Sequence, residues 1–428
     1  MPVARSEARW TAWRTVAWFG VVSLAADMVY EGARSITGPY LLSLGASALL
    51  VGVVTGAGEA AALGFRLFSG PWADRSGRYW SITIAGYAMT AVAVPLMAVA
   101  PFVGAAGLAV AATLVLVERT GKAVRSPAKS TLLAQAAGSV GRGRGFAVHK
   151  ALDQVGAFAG PLLVAAVVSL SGHPWLGLLV LAVPGAVALV LLAVIRAAVP
   201  DPTVFSADPA APVPGRSGNG ADTAAVPAGR LGGGFVEFAV ACGLMTLGLM
   251  TFGVISFHLV HEGLVSAGAV PVVYAMAMAV EAVSALGTGF VYDRAGGWVL
   301  LVLPPAVAAV PLLAFAPTLG VVLAGIALWG ASTGVLDSTV KALVADLVPH
   351  GRLATAYGVF AAFQGVAALA GGALAGWLYD GSRLDLVAAI AATQVVAAVL
   401  LVLVLRRTRG GPGESAPGDP SPSLHSQA

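Results

Sequence analysis

Roughly twelve long apolar tracts are separated by short polar turns, near residues 15–42, 48–70, 80–100, 105–125, 145–170, 175–197, 233–259, 267–291, 297–316, 318–340, 353–377 and 384–405. Crossing the hydrocarbon of a bilayer takes about 20 residues of helix, and most of the tracts reach that length. Strict apolar/polar alternation is absent, so helices rather than barrel strands are expected. Residues 198–232 interrupt the pattern with Pro, Gly, Ala and Ser, and residues 407–428 have the same character. Such stretches cannot bury enough apolar surface to order themselves. The expected architecture is all-α and integral to a membrane, with twelve transmembrane helices in two pseudo-symmetric six-helix bundles. The bundles would occupy 1–197 and 233–406, with a flexible cytoplasmic linker at 198–232 and a disordered cytoplasmic tail at 407–428.

Internal repetition supports the two halves. Gly70-Pro71-Trp72-Ala73-Asp74-Arg75-Ser76-Gly77-Arg78 is a charged, glycine-flanked turn after an apolar tract, and Gly289-Phe290-Val291-Tyr292-Asp293-Arg294-Ala295-Gly296 repeats it 219 residues later. The segment from Ser130 to Pro161 also aligns without gaps on that from Lys341 to Gly372, placing Gly160 on Gly371. Duplicated apolar halves are how secondary transporters are organised.

Composition narrows the picture. Of the 428 residues 58% are hydrophobic and 10% charged, against about 25% charged in a soluble domain. The net charge of +4 invites a nucleic-acid reading. The positions of the charges argue against it: with the N-terminus inside, all Lys and Arg except Arg34, Arg66 and Arg383 fall toward the cytoplasm, as the positive-inside rule requires. Both termini are therefore expected in the cytoplasm. Cys242 is the sole cysteine, so neither an intrachain disulfide nor a cysteine metal cluster is expected. The first tract is too long for a cleaved signal and reads as an uncleaved span.

The turn at Gly70…Asp74-Arg75-Ser76-Gly77-Arg78 resembles the signature loop between the second and third helices of the major facilitator superfamily, and its second copy lies where that family repeats it. Arg119 resembles the arginine of the family's fourth-helix motif, with Lys122 and Ala123 where drug antiporters carry Gln and Gly. Gly156-Ala157-Phe158-Ala159-Gly160-Pro161 resembles the fifth-helix antiporter motif, its trailing glycine pair replaced by Val164-Ala165. The resemblance spans about residues 12–406. It implies a central cavity, alternating access and a role for Arg119 in proton coupling.

Polar residues inside spans are the candidate chemistry, because each charge costs about 2.5–3.5 kcal/mol at mid-membrane. Asp27, Tyr30, Glu31 and Arg34 share one face of the first helix by their spacing. Glu59 lies near the middle of the second span, and Glu118 and Lys122 are spaced to pair on the fourth. His149 and Asp153 are spaced as a pair in the fifth, where an imidazole beside a carboxylate can relay protons. The second half offers Glu281, Trp329 and Gln364 as cavity residues. A conformational gate is expected at Gly70, Asp74, Arg75, Gly77, Arg78, Asp293 and Arg294, with Asp337, Lys341 and Asp346 as a further cytoplasmic cluster. Asp74 is expected to cap a helix N-terminus of the partner half. His258 and His261 are expected at an interface with water.

Two enzyme-like motifs lack their required setting. Gly330-Ala331-Ser332-Thr333-Gly334 would need a strand–turn–helix context, and Gly56-Ala57-Gly58-Glu59-Ala60-Ala61 a preceding strand. The expected protein is therefore no enzyme and needs no cofactor or metal. It is a proton-coupled transporter of a bacterial cytoplasmic membrane, monomeric, with lipid and a small molecule as its partners and the proton gradient as its energy source. Export of an amphipathic or drug-like molecule leads. Proton-coupled uptake of a metabolite, and a non-transporting receptor, are the alternatives.

Overall fold

The computed structural model describes residues 9–205, 233–348 and 353–409. Among the described residues, twelve helical spans are long and apolar enough to cross a membrane. They run Ala12–Ser43, Ala48–Ser76, Tyr79–Met97, Gly104–Ala136, Gly143–Ser171 and Pro174–Ala198 in the first half, numbered here 1 to 6. Spans 7 to 12 are Gly234–His261, Val270–Tyr292, Gly296–Ala314, Leu319–Val340, Ala356–Gly381 and Arg383–Arg407. Only the beginning of the expected linker, through Phe205, is described, and the expected tail is described no further than Arg409.

The packing has the symmetry that the sequence repeat implies. Span 1 packs on spans 5 and 6, and span 7 on spans 11 and 12; span 4 meets 2 and 3 as span 10 meets 8 and 9. Between the halves, span 2 lies on span 11, span 5 on span 8, and span 1 on span 7. Adding six to each span number carries every one of these contacts onto another of the same set. The repeat holds at atomic detail too. A Cβ on Gly160 would strike the carbonyl of Met28, and one on Gly371 would strike the carbonyl of Leu247. Met28 and Leu247 are 219 residues apart, the spacing of the two charged turns.

Those turns are shorter than expected. Arg66–Ser76 is helical, so Gly70 sits inside a helix, and the chain turns only at Gly77 (φ 62°). Gly296 (φ 60°) does the same in the second half, again 219 residues on. The left-handed conformation is one that Gly adopts at little cost.

Small residues set the distance between the halves. A Cβ on Gly52 would meet the carbonyl of Gly372 and the reverse, and Gly376 abuts the backbone of Ala48 and Leu49. Helices without a hydrophobic drive between them associate through such close backbone contact. Gly156 and Gly160 likewise seat span 5 on Leu24 and Met28 of span 1. Span 7 is broken. Its helix stops at Leu249 and restarts at Phe252, across Met250 with φ 58°. The Leu249 carbonyl freed there accepts from Trp329 Nε1 at 2.9 Å, which lets the break sit in a water-poor interior.

Gly52→Leu should lower the melting temperature of the detergent-solubilised protein, because overpacking costs about 1–3 kcal/mol. Gly287→Leu, where a Cβ meets open space, should not. Equal melting temperatures for the two variants would mean that the span 2–span 11 contact is looser than described.

Candidate functional site

Buried charges gather where spans 1, 2, 4 and 5 face one another. Helical spacing puts Tyr30, Glu31 and Arg34 of span 1 toward spans 2 and 4. There Glu59 Oε1 takes Arg34 Nη2 at 3.2 Å and Arg119 Nη1 at 3.7 Å. Arg119 Nε also reaches Glu118 Oε2 at 3.4 Å. Gly58 leaves the room for this, since a Cβ there would press on the Arg119 side chain. The Tyr30 ring is approached by two cations, with Arg119 Cζ 4.4 Å and Lys122 Nζ 3.0 Å from its centroid. Cation–π attraction strengthens when both partners are desolvated. Lys122 thus lies over Tyr30, and Glu118 meets Arg119, so the expected Glu118–Lys122 pair is not what the helix forms.

A second cluster continues from this one toward span 5. Asp27 and Asp153 lie with their carboxyl groups within hydrogen-bonding reach of each other. Ser23 Oγ donates to Asp153 Oδ1 at 2.7 Å and Lys150 Nζ to Oδ2 at 3.1 Å. Lys129 Nζ donates to the same serine at 3.4 Å. The partner of Asp153 is therefore Lys150 rather than His149. His149 is buried beside the cluster, its Nε2 without a hydrogen-bond partner.

The two halves meet at this site through one polar contact that the sequence reading missed. Tyr274 Oη of span 8 donates to Glu31 Oε2 at 2.5 Å, and Arg34 Nη1 lies 3.9 Å from the same oxygen. Tyr274 is fully buried against Phe252, ring centroids 4.7 Å apart. A tyrosine in an apolar helix looks like core, and nothing in its local sequence marks it as a donor to the other half. A second polar tie joins Thr55 Oγ1 to Thr251 Oγ1 at 2.7 Å, at the break in span 7.

The other candidates stand apart from this cluster. Glu281 lies on span 8, its Oε2 buried and without a hydrogen-bond partner. Trp329 is buried in the core, its ring N–H spent on the Leu249 carbonyl, and Gln364 is half-buried beside Gly365, which packs on Ala60. Asp74, Arg75, Arg78, Arg294 and Asp337 are exposed. Asp74 Oδ1 accepts from Tyr79 Oη of its own half at 3.1 Å, not from a helix end of the other. The side chains of Asp293, Lys341 and Asp346 lie outside the described residues. A surface cleft of about 400 Å³ is lined by Asp74, Arg78, Trp80 and Asp201 and shares no residue with the buried cluster. Ser332 Oγ donates to the Leu328 carbonyl at 2.8 Å, and Gly330 and Gly334 seat span 10 on span 8, so that motif is a packing face.

His258 is not interfacial. It is fully buried, with Nδ1 2.9 Å from Tyr379 Oη and Nε2 3.1 Å from the Ala316 carbonyl. Tyr379 leads outward to Glu262, which pairs with Arg383. Glu262 lies in the turn after span 7, and the hydrogen bond from the Arg383 guanidinium holds its carboxyl below the ordinary range.

A paired polar network inside twelve spans that repeat six by six is the organisation of secondary transporters. The family model of the Major Facilitator Superfamily matches residues 19–310 and 305–425. The chain belongs to that superfamily. It is 50% identical over 406 residues to uncharacterized proteins of Mycobacterium tuberculosis and Mycobacterium bovis, covering 92% of this chain and 93% of each relative. Among solved structures, the nucleoside transporter NupG matches with TM-score 0.70 at 15% identity, over 91% of this chain and 99% of that one. A bacterial homolog of the human lysosomal transporter Spinster, inward-facing and occupied, matches with TM-score 0.67 at 16% identity, over 94% and 98%. Likeness at that identity speaks for the fold alone. Together they make this chain a multi-pass membrane protein with the fold of a secondary transporter.

Removing the Tyr274 hydroxyl should cost the tie between the halves about 1–2 kcal/mol, a factor of about 5–30 in a two-state balance. In Tyr274→Phe, a cysteine placed at Ser169, where span 5 meets the turn before span 8, should react with a water-soluble maleimide several-fold faster than in the parent. Equal reactivity would remove Tyr274 from the coupling of the halves.

Proposed function

We propose that this protein is a proton-coupled antiporter that exports a small amphipathic or drug-like molecule across a bacterial cytoplasmic membrane. It works as a monomer with both termini in the cytoplasm and the segment 198–232 linking the halves. The observation that carries the reading is the contact between the Asp27 and Asp153 carboxyl groups, buried beside the network that reaches the other half through Tyr274. Two carboxylates in contact cannot both be ionised in a dry setting. Asp153 already receives a hydroxyl and an ammonium, so it is the ionised member and Asp27 carries the shared proton, donating it to Asp153. Asp27 sits one turn before Glu31 on span 1. Loss of its proton places a new negative charge beside Lys122 and the Glu31–Tyr274 tie. Substrate binding and conformation are thereby linked to proton release, which is what antiport requires.

Gly156–Pro161 of the antiporter-like motif, seated on span 1 directly opposite Leu24 and Met28, supports export. It holds span 5 where Asp153 can meet Asp27. Uptake of an anionic metabolite would need Arg34 or Arg119 as a free cation, and each has a carboxylate partner.

Asp27→Asn provides the test. An asparagine keeps a donor for Asp153 but has no proton to release. In liposomes holding a trapped pH dye, a panel of lipophilic cations, sugars, amino acids and carboxylates should contain a compound that evokes a proton signal from the parent. Asp27→Asn should abolish that signal while leaving compound-for-compound exchange, which moves no net proton. A variant that still couples would eliminate Asp27 from the mechanism, and a proton flow running with the compound would make the protein a symporter.

A further inference from the structure

The buried carboxylates of the first half are served by its own residues or by Tyr274. Glu59 has Arg34 and Arg119, Glu118 has Arg119, Asp153 has Lys150, and Glu31 has Arg34 and Tyr274. Glu281 has no such partner. Its Oε2 is buried, and among the described side chains nothing hydrogen-bonds to it. It lies near the middle of the helix Val270–Ala295, at the depth where an unpaired charge costs most.

The position is not a lipid-facing accident. Val272, Met276, Val283, Leu286 and Phe290 are exposed apolar side chains of that helix and share one face, with Val291 exposed at its edge. At about 100° per residue, Glu281 points about 160° away from Val283, into the protein. Span 10 is brought against it by Gly330 and Gly334, whose missing Cβ atoms make room for the carbonyls of Ala277 and Glu281. One turn further, Asp337 adds a second carboxylate close enough to act on the first. Arg34, Glu31 and Lys150 of the first half lie close enough to act on Glu281 electrostatically. Arg34 is held by Glu59 at 3.2 Å and Lys150 by Asp153 at 3.1 Å. Among the described side chains, the second half thus presents negative charge toward the first, with Arg34 and Lys150 already engaged. Two turns before Glu281 on the same helix, Tyr274 joins Phe252 and Trp329 in an aromatic cluster. An uncompensated carboxylate set in an apolar interior matches an amphipathic molecule carrying a cationic head.

We propose that Glu281 is the binding carboxylate for an organic cation, holding an ammonium or phosphonium centre between the two halves. The inference rests on the transporter reading above and narrows its substrate to cations. The ligand supplies the counter-charge that the chain withholds, so the site is electrostatically complete only when occupied.

The experiment uses the full-length purified protein in detergent, with ethidium as the fluorescent probe read by anisotropy, tetraphenylphosphonium as a competitor and anilinonaphthalene sulfonate as an anionic competitor of similar bulk. The parent should bind ethidium, release it to tetraphenylphosphonium and retain it against the sulfonate. Glu281→Gln should weaken ethidium binding about tenfold or more, and Glu281→Asp should recover most of it. The melting temperature of the unliganded Glu281→Gln protein should be unchanged or higher, since an uncompensated charge has been removed. Lowered stability would instead mark Glu281 as half of a structural ion pair. Parent-like binding by Glu281→Gln, equal competition by the sulfonate, or a parent that binds neither cation would each overturn the proposal. Cation binding lost in Glu281→Gln while no compound moves protons in liposomes would retain the site and sink the transporter reading. Compound-driven proton signals with no dependence on Glu281 would do the opposite.

Discussion

Mutual neutralisation of charges inside an apolar bundle is the constraint on which the rest of this structure depends. Each charge at mid-membrane costs about 2.5–3.5 kcal/mol, and spans 1, 2, 4 and 5 together hold at least ten ionisable side chains in or near that zone. The cost is tolerable where the groups are spent on one another. Glu59 lies between two guanidiniums, Tyr30 lies under two cations, and Asp153 is held by a hydroxyl and an ammonium. Breaking one buried pair strands a charge and is far more costly than the pair is worth. The network therefore has few low-energy arrangements. Moving between a few discrete arrangements, rather than deforming smoothly, is what a switch requires.

Backbone proximity converts that local bistability into motion of whole halves. Gly52, Gly372 and Gly376 let spans 2 and 11 touch without side chains between them, so these helices can slide or rock with little side-chain rearrangement. The same economy seats span 5 on span 1 through Gly156 and Gly160, and span 11 on span 7 through Gly371. Among the described residues, the side-chain hydrogen bonds across the halves are Tyr274 to Glu31, and Thr55 to Thr251 at the break in span 7. A rearrangement of Glu31 reaches the other half through one hydroxyl. The excess of charge in the first half and of unpaired carboxylate in the second makes the two halves chemically unequal, despite their matching helix contacts.

Much of the fold was legible in the chain because hydropathy and repetition are long-range, redundant signals. Twelve tracts, the six-by-six division and the 219-residue offset all reappear in the packing. The face formed by Tyr30, Glu31 and Arg34 was legible too, since helical spacing alone gathers those side chains. Which partner each charge takes was not. His149 and Asp153 have the spacing of a pair, yet a serine and a lysine reach the carboxylate first. Asp74 looked free to cap a helix of the other half, but Tyr79 lies within its own turn. Tyr274 carried no signal at all, because only the fold brings span 8 to span 1. Partner choice among long side chains is settled by distances of about an ångström, and spacing along one helix does not reach that resolution.

The account's central claim is that protonation in the first half changes how the two halves meet. Pulsed dipolar spectroscopy on two spin-labelled pairs tests it directly. One pair, Ser43→Cys with Ser266→Cys, spans the end where the 44–47 and 262–269 turns lie; the other, Gly143→Cys with Ala295→Cys, spans the opposite end, with all four positions exposed. Cys242 is fully buried, and replacing it by alanine removes background labelling. Raising the pH from acid to alkaline in lipid nanodiscs should lengthen one distance while shortening the other. In Asp27→Asn both distances should stay fixed across the same range. Two distances that change together, or that titrate identically in Asp27→Asn, would contradict it.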